Sequence, residues 1–203
     1  MSEHYFTAAP ASADQRREIT VTLAGRRVRV ETASGVFSAE RLDPGTAVLL
    51  GHGEEPPATG LFVDVGCGWG AIALDLALRS PGAEVIAVDV NERALDLTRR
   101  NAARLGAAGV TAVDPGAALE LVGDRPIDLL RSNPPIRVGK EALHELLATW
   151  LGRLAPTGLA ELVVAKNLGA DTLQRWIAGE LGMDCSRAAS SRGFRVLRVR
   201  PAG

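Results

Sequence analysis

The sequence predicts an α/β fold in which a parallel sheet carries helices on both faces. Short apolar runs typical of buried strands alternate with longer runs of helical periodicity, and this alternation indicates βαβ units. One strand-like run passes through the glycine-rich loop 66–70 directly into a helical run, which is the local arrangement of nucleotide-type sites. Another run stops at Pro134-Pro135, because two prolines can neither extend a strand nor form a helix interior.

The elements can be predicted in chain order. Residues 1–15 are expected to be loosely ordered, with 4–6 able to dock. Alternating apolar and polar residues on both sides of Ala24-Gly25 predict a β-hairpin, glycines and prolines make 51–60 a loop, and Asn91 is typical of a helix N-cap. The hairpin strands are 19–23 and 27–31; the core has strands 61–65, 84–88, 110–113, 127–132, 159–164 and 194–199, and helices 71–78, 92–105, 141–154 and 171–181.

The composition is that of one ordinary soluble domain. The chain has 203 residues, of which 46% are hydrophobic and 23% are charged, and this length can bury a sizeable core. No apolar run approaches the roughly 20 residues that span a bilayer, and residues 1–4 lack a signal-peptide pattern. Cys67 and Cys185 are too few for a disulfide framework. We therefore expect a cytoplasmic protein with reduced thiols and neither a membrane nor a metal partner, since metal-ligand spacing is also missing.

Asn133 lies at the carboxyl end of strand 127–132, where the ligands of open parallel sheets bind. Its side-chain carbonyl and the Pro134 carbonyl are two fixed hydrogen-bond acceptors side by side. Such a pair suits a planar NH2 group and would direct the lone pair of its nitrogen at an electrophile. The alternative interpretation is a turn that only ends the strand, since Asn and Pro are common turn residues.

The glycine loop indicates where the electrophile binds. Gly66 and Gly68 let a ligand approach the backbone closely, and Asp89, at the end of the next strand, can hydrogen-bond ribose hydroxyls. Asp64 suits a cationic amino acid end and would repel a pyrophosphate, so the sequence favours S-adenosylmethionine over a nicotinamide cofactor. The glycines also satisfy the loose dinucleotide pattern G-x-G-x-x-G/A, which leaves an NAD(P)-dependent oxidoreductase as the alternative.

Two motifs resemble those of a known family. Residues 64–70 resemble motif I of class I methyltransferases, and 132–136 resemble motif IV of those that methylate exocyclic or amide nitrogens. Segments 35–50, 133–144 and 193–197 are similar to the small-subunit ribosomal RNA guanine-N2 methyltransferases, including their single-domain archaeal relatives.

The resemblance implies a fold and a domain organisation. The fold would be a Rossmann-like class I methyltransferase fold, with a seven-stranded, mostly parallel sheet, helices on both faces and an N-terminal β-hairpin extension. The last strand would run antiparallel. One methyltransferase domain would occupy 1–203, with the hairpin and leading segment in 1–50 and the S-adenosylmethionine-binding core in 60–203.

The resemblance also implies an activity and a site. A methyl group would pass from S-adenosylmethionine to the exocyclic N2 of a guanine in structured, ribosomal RNA. Asn133 and the Pro134 carbonyl would orient the amine. The cofactor would contact Asp64, Gly66, Gly68, Gly70, Asp89, Asp114 and Asn133, and the substrate would contact Phe37, Pro135, Ile136, Arg137, Lys140 and Lys166.

Several of these residues also have purely structural interpretations. Asp114 precedes Pro115 and can begin a turn. Phe37 offers either a π face or a core side chain. Ile136 stands where related enzymes carry an aromatic ring, whose stacking on a base is worth about 1–3 kcal/mol. Lys140 suits a phosphate or stabilises the proline-rich loop.

Arginines are the candidate RNA contacts in a chain whose net charge is only −1. They cluster at 16–29 and at 187–200, where a solvated strand face is the alternative interpretation. Arg195 and Arg198 cannot point to the same side of a regular strand. Adenine N6 and a protein glutamine amide are alternative acceptors. Arg131, in a strand position that the family fills with a small or apolar residue, favours a third alternative, a non-catalytic RNA assembly factor.

Overall fold

The computed structural model describes residues 14–203. It begins with an antiparallel hairpin, β1 (Arg16–Leu23) and β2 (Arg26–Ala33). The two turn residues between the strands have φ values of 47° and 72°, and two positive φ values are typical of the type I′ turn that fits the twist of paired strands. The predicted hairpin is confirmed, with longer strands. The prediction that 4–6 dock lies outside the described residues.

Helix α1 (Pro44–His52) follows the hairpin. Asp43 caps it, because its Oδ2 accepts a hydrogen bond from Thr46 N at 2.8 Å, and a proline occupies the first turn, where a backbone N–H would have no partner in the helix. The predicted loop 51–60 is therefore shorter than expected, since the helix takes its first two residues and β3 takes its last two.

The core is a seven-stranded sheet in the order β5-β4-β3-β6-β7-β9-β8. All pairings in this sheet are parallel except those of β9, which runs antiparallel to both β7 and β8. This confirms the Rossmann-like, mostly parallel sheet and the antiparallel last strand. The strands are β3 (Thr59–Val65), β4 (Gly82–Val88), β5 (Val110–Val113), β6 (Ile127–Ser132), β7 (Leu154–Ala165), β8 (Asp184–Ser191) and β9 (Phe194–Arg200).

Helices cover both faces of the sheet. Because strand side chains alternate between faces, Phe62 packs with the hairpin, α1, α2 and α3, while Val63 packs with α4, α5 and α6. No helix in the described part of the chain is long and apolar enough to cross a bilayer. The further helices are α2 (Ala71–Arg79), α3 (Glu92–Leu105), α4 (Pro115–Val122), α5 (Lys140–Leu151) and α6 (Ala170–Glu180), with 3₁₀ turns at Ile136–Val138 and Lys166–Leu168.

Three elements, α1, α4 and β8, are not predicted by the local sequence pattern. Helix α4 buries only Ala118 and Val122, which lie one turn apart, so its apolar periodicity is too short to recognise. Strand β8 is an edge strand in which no residue is fully buried, and it lacks the apolar alternation typical of strands. The resemblance implied a seventh strand without locating it.

The strand order reverses between β3 and β6, which lie side by side. From β3 the sheet continues to β4 on one side, and from β6 it continues to β7 on the other. The ligand crevice of such a sheet opens at this switch point, outside the carboxyl ends of the two strands. Those ends are Val65 and Ser132, so the glycine loop and Asn133 both begin at the crevice.

Candidate active site

An open cavity of about 390 Å³ lies at the switch point. Its volume falls in the range of small-molecule sites, about 300–1,000 Å³, and its surface is mostly apolar. Residues far apart in sequence meet here, as the strand ends predict. The sequence-predicted site residues at its surface are Phe37, Gly66, Gly68, Asp89, Asn133, Pro134, Pro135 and Ile136.

The glycine loop forms one wall of the cavity. Gly66 N and Cys67 N donate to the Val88 carbonyl at 2.8 and 3.0 Å, which fixes the loop against β4. Gly66 and Gly68 have φ values of 79° and 57°, a region that glycine enters without the steric cost that other residues meet. Backbone without side chains therefore borders the cavity at both positions.

Asp89 lies at the end of β4 with both oxygens held. Its Oδ2 accepts from Gly68 N and its Oδ1 from Asn91 N, each at 2.9 Å. Burial raises the pKa of Asp89, and these backbone N–H groups oppose the shift. A carboxylate can accept about four hydrogen bonds, so both oxygens keep capacity for a hydroxyl in the cavity. Apolar side chains line the cavity beside it: Val88, Val90, Ala94 and Pro115.

Asn133 has a defined amide orientation. Its Nδ2 donates to Asp43 Oδ2 at 2.8 Å and to Thr46 Oγ1 at 3.1 Å. An ionised carboxylate only accepts hydrogen bonds, so Asp43 requires the nitrogen on its side, and no described residue donates to Asn133 Oδ1. Sequence reasoning did not single out Asp43 as a site residue; the available signal was an acid directly before a proline at a helix start.

The second predicted acceptor is partly occupied. Ile136 N donates to the Pro134 carbonyl at 2.8 Å, which uses one of the two lone pairs of that oxygen. Both Asn133 and Pro134 line the cavity. Two acceptors thus occur together there, one with its side-chain oxygen free and one with a single lone pair remaining.

Aromatic side chains border the cavity beside the Asn-Pro-Pro break. Phe37 is 44% exposed, so its interpretation as a core residue is wrong. Phe194, the first residue of β9, lines the same cavity, and its ring packs so closely on Gly45 that a Cβ there would lie 2.9 Å from it. Ile136 lines the same cavity. Sequence reasoning did not assign Phe194 to the site, because its position depends on where β9 joins the sheet.

Asp64 lies beneath the glycine loop and not at the cavity surface, which corrects its predicted contact with the cofactor. The side chain is fully buried; Oδ2 accepts from Ala73 N at 2.9 Å, and Oδ1 has no hydrogen-bond partner. Burial raises the pKa of Asp64 to about 8, and repulsion from Asp89 adds to the shift. The carboxyl therefore keeps its proton at neutral pH.

Two other residues that were predicted to contact the cofactor have structural roles. Gly70 is the N-cap of α2, and a Cβ there would lie 3.0 Å from Thr98 Oγ1, so this glycine allows close packing. Asp114 is exposed and caps α4, with its Oδ1 accepting from two backbone N–H groups at 2.9 and 3.2 Å. Neither residue lines the cavity; Asp114 has the predicted role of a turn starter before a proline, and its contact with the cofactor stays a prediction.

The basic residues after the break lie outside the cavity. Lys140 is exposed and begins α5, and Lys166 is exposed and begins the second 3₁₀ turn. Neither borders the cavity, so their contact with the substrate stays a prediction, and a phosphate outside the cavity is the group that they suit. Arg137 belongs to the first 3₁₀ turn, and the prediction for its side chain falls outside the described structure.

Arg131 belongs to a buried ion network. Its Nη2 lies 2.8 Å from Glu161 Oε2, with the two side chains 2% and 0% exposed, and it also donates to the Glu54 carbonyl. Glu161 accepts in addition from Arg198 Nη2 at 3.1 Å and from Glu54 N at 3.0 Å. These charged residues are cross-strand neighbours on β6, β7 and β9. The unusual arginine therefore has a structural role.

Comparison with known proteins gives the following relatives. Uncharacterized protein YbxB of Bacillus subtilis is 29% identical over 98% of this chain and 99% of its own length. Ribosomal RNA small subunit methyltransferase C is 32% identical in Stutzerimonas stutzeri and 34% identical in Pseudomonas aeruginosa (strain LESB58); each match covers 95% of this chain and 57% or 58% of the relative. The chain therefore spans little more than half the length of those methyltransferases.

A solved structure shares the fold. It is a T. thermophilus 16S rRNA N2 methyltransferase in complex with AdoMet and guanosine, with a TM-score of 0.75 and 23% identity, and the match covers 95% of this chain and 52% of that one. The methyltransferase small domain family matches residues 27–198, a range that runs from β2 to β9 and includes the whole lining of the cavity. On that match the nicotinamide oxidoreductase is set aside, and the chain belongs to the methyltransferase small domain family.

Proposed function

We propose that this protein transfers a methyl group from S-adenosylmethionine to the exocyclic N2 of a guanine in small-subunit ribosomal RNA. The observation that carries the proposal is the orientation of Asn133. Asp43 and Thr46 hold its amide nitrogen, so its oxygen is left to accept hydrogen bonds at the cavity. A residue that only ended a strand would not need this orientation.

The residues around the cavity fit the proposed cofactor. Asp89 has acceptor capacity for ribose hydroxyls, and the apolar side chains beside it suit an adenine ring. Gly66 and Gly68 leave room for the amino acid end next to the N-terminus of α2. We assign Asp64 a supporting role, in which it anchors α2 beneath the loop through Ala73 N.

The mechanism is mainly one of alignment. When bound, S-adenosylmethionine supplies a methyl group on a positively charged sulfur. Asn133 Oδ1 and the remaining lone pair of the Pro134 carbonyl would accept the two amine hydrogens, which leaves the nitrogen lone pair for the methyl group. A Cβ on Gly66 would lie only 3.8 Å from the backbone carbonyl oxygen of Asn133. The part of the cavity that would hold the cofactor therefore adjoins the part that would hold the amine. Such alignment can lower the activation free energy by about 7–11 kcal/mol.

A neutral guanine amine needs no general base before attack, because the nitrogen sheds its proton after the methyl group has been transferred. The acceptor side of the cavity suits a flat, apolar-faced ligand. Phe37 and Phe194 offer rings on which a base can stack, an interaction worth about 1–3 kcal/mol. These rings supply what Ile136 does not.

The relatives support the choice of substrate. Ribosomal RNA small subunit methyltransferase C proteins match nearly the whole of this chain, and the T. thermophilus enzyme is an N2 methyltransferase of 16S rRNA. Adenine N6 and a glutamine amide present a similar NH2 group and are the alternative acceptors. The hypothesis of a non-catalytic assembly factor depended on the unusual Arg131, and the ion pair of this arginine explains its presence in the strand. We place the activity in the cytoplasm, where free thiols such as Cys67 and Cys185 persist.

The test is mass spectrometry of small-subunit ribosomal RNA nucleosides from a deletion strain. We expect one N2-methylguanosine to disappear and to return with the wild-type gene but not with Asn133→Ala. Loss of N6-methyladenosine instead would replace guanine by adenine as the acceptor, and unchanged nucleosides would contradict an RNA substrate. Titration of the purified protein with S-adenosylhomocysteine checks the cofactor independently.

A further inference from the structure

Four of the five arginines in 187–200 are engaged within the protein, and the fifth, Arg192, is a single exposed residue without an ion pair among the described residues. Arg187 and Arg195 both pair with Asp171, while Arg198 and Arg200 pair with Glu54. Arg195 and Arg198 lie on opposite faces of the sheet, as their spacing predicts. A guanidinium already paired with a carboxylate gains less from a phosphate, since the existing pair must be broken. This cluster is therefore a weak candidate for RNA contact.

The hairpin differs, because one of its faces carries free cations. Its inner face packs into the core through residues such as Val21 and Val30. The outer face carries two cross-strand pairs, Thr20 opposite Arg29 and Thr22 opposite Arg27. We call these four exposed residues the hairpin face. The guanidinium groups of Arg27 and Arg29 form no ion pair or hydrogen bond with any other residue in 14–203, although their backbones pair with β1.

The charge of the hairpin face is local. Further along the same side of the hairpin, Glu18 pairs with Arg104 and Glu31 pairs with Arg100, so that part is neutralised. The hairpin face itself contains two arginines, whose backbone positions lie about 7 Å apart along one strand, and two threonine hydroxyls, with no acid among them. Arginine and threonine side chains are both common contacts of nucleic acid phosphates.

The hairpin face is held rigidly with respect to the cavity. Ala24 N, in the turn, donates to Asp75 Oδ1 at 2.6 Å, and Asn101 exchanges two hydrogen bonds with the Glu31 backbone. Where the hairpin ends, Asn91 Nδ2 donates to the Gly35 carbonyl at 2.8 Å. The next two residues, 36 and 37, line the cavity. A strand rises about 3.3 Å per residue, so β2 covers about 20 Å between Arg27 and its cavity end.

We propose that the hairpin face binds the sugar-phosphate backbone of the RNA whose guanine enters the cavity. This inference rests on the proposed function, since it assumes that RNA is the substrate. A polynucleotide extends far enough to reach both places, whereas a single nucleotide would not. The face supplies charge and hydroxyl donors without reading bases, so it contributes affinity and register, while the cavity selects the base.

The experiment compares two double variants that each remove two exposed arginines. Arg27→Gln with Arg29→Gln removes the unpaired cations, and Arg17→Gln with Arg187→Gln removes two that pair with exposed acids. Both variants change the net charge equally. Binding of a small-subunit ribosomal RNA transcript is measured over a range of salt concentrations, and S-adenosylhomocysteine binding is measured in parallel.

We expect the hairpin-face variant to bind RNA more weakly and to lose about 1.4–1.8 from the slope of log K against log salt, at about 0.7–0.9 per phosphate contact. The control variant should keep the wild-type slope, and both should bind S-adenosylhomocysteine normally. Equal slopes for the two variants would overturn the inference while leaving the proposed function intact. A wild-type protein that neither binds nor methylates RNA would overturn the proposed function itself, and this inference with it.

Discussion

Asn133 could adopt either of two amide orientations, and its neighbours select one of them. Asp43 accepts from Asn133 Nδ2 and from Thr46 N through the same oxygen, at 2.8 Å in both cases. The cap of α1 and the orientation of the amide are thus set by one carboxylate. Because neither contact involves a ligand, the acceptor is oriented before an amine arrives, which is the preorganisation that favours catalysis.

This arrangement predicts different results for two substitutions of Asp43. Asp43→Ser keeps a good N-cap for α1 but withdraws the acceptor from Asn133, so we expect methyl transfer to fall by about 10²-fold with little change in stability. Asp43→Asn keeps an oxygen in the same place and should retain most of the activity. Single-turnover rates and S-adenosylhomocysteine affinity measure both effects, and equal rates for wild type and Asp43→Ser would exclude the positioning role.

Asp64 gives the folded protein a pH dependence. Its pKa rises from 3.8 to about 8 on burial, so between these values the unfolded chain has released a proton that the folded protein keeps. The unfolded state then binds fewer protons, and the free energy of unfolding falls as the pH rises through this window. Above about pH 8 the folded protein must ionise a buried carboxyl that has one unpartnered oxygen.

Asp64→Asn removes this titration and provides the test. We expect the variant to gain stability relative to wild type as the pH increases from about 5 to about 8, in urea unfolding without cofactor. Other groups titrate in both proteins, so the difference between the two curves isolates Asp64. A difference that stays constant over this range would show that the carboxyl is not held protonated.

At the scale of elements, buried charges link the central strands to α1. Arg131 on β6, Glu161 on β7 and Arg198 on β9 are cross-strand neighbours, and Glu54, just after α1, contacts all three side chains. Asn133 follows Arg131 by two residues and receives its orientation from the other end of α1. The network therefore holds together the elements that carry the acceptor site.

Removing one member of the network should be costly. Glu161→Gln leaves the buried Arg131 without its counter-ion, and breaking a buried pair in this way costs about 3–5 kcal/mol. The double variant Arg131→Leu with Glu161→Leu removes both charges. It should lose less free energy of unfolding than Glu161→Gln, because neither position keeps a buried charge without its partner. Urea unfolding of the two variants gives the comparison. A loss of under about 1 kcal/mol for Glu161→Gln would contradict the network's role.

At the scale of the whole molecule, the positions fixed by strand ends could be predicted from sequence. Gly66, Asp89 and Asn133 each follow a strand directly, and parallel strands bring their carboxyl ends to one edge of the sheet. The hairpin was predictable from its two-residue turn and alternating pattern. Local sequence was sufficient to predict each of these features, because each depends only on residues that lie close together in the chain.

Other features depend on contacts between distant segments. Phe194 reaches the cavity only because β9 pairs with β7, and the partner of Arg131 lies thirty residues further along the chain. Asp114 satisfies a family pattern and a helix cap equally well in sequence, and the cap is what the fold uses. Asp64 lies two residues before the loop in sequence, yet the strand directs its side chain beneath the loop.

The central claim is a division of labour, in which Asn133 holds the acceptor amine while the glycine loop and Asp89 hold the cofactor. Its most direct test is a single-turnover assay of methyl transfer to small-subunit ribosomal RNA, with Asn133→Ala compared with wild type at saturating S-adenosylmethionine. Calorimetry with S-adenosylhomocysteine accompanies the assay. The folded variant Asp89→Ala serves as the comparison. We expect it to bind S-adenosylhomocysteine about 10–100-fold more weakly than wild type, because charged hydrogen bonds contribute about 1.5–3 kcal/mol.

For Asn133→Ala we predict a rate about 100-fold to 1,000-fold below wild type, the usual cost of losing a positioned hydrogen bond in the transition state, with cofactor affinity nearly unchanged. A variant that transfers the methyl group at the wild-type rate would contradict the account.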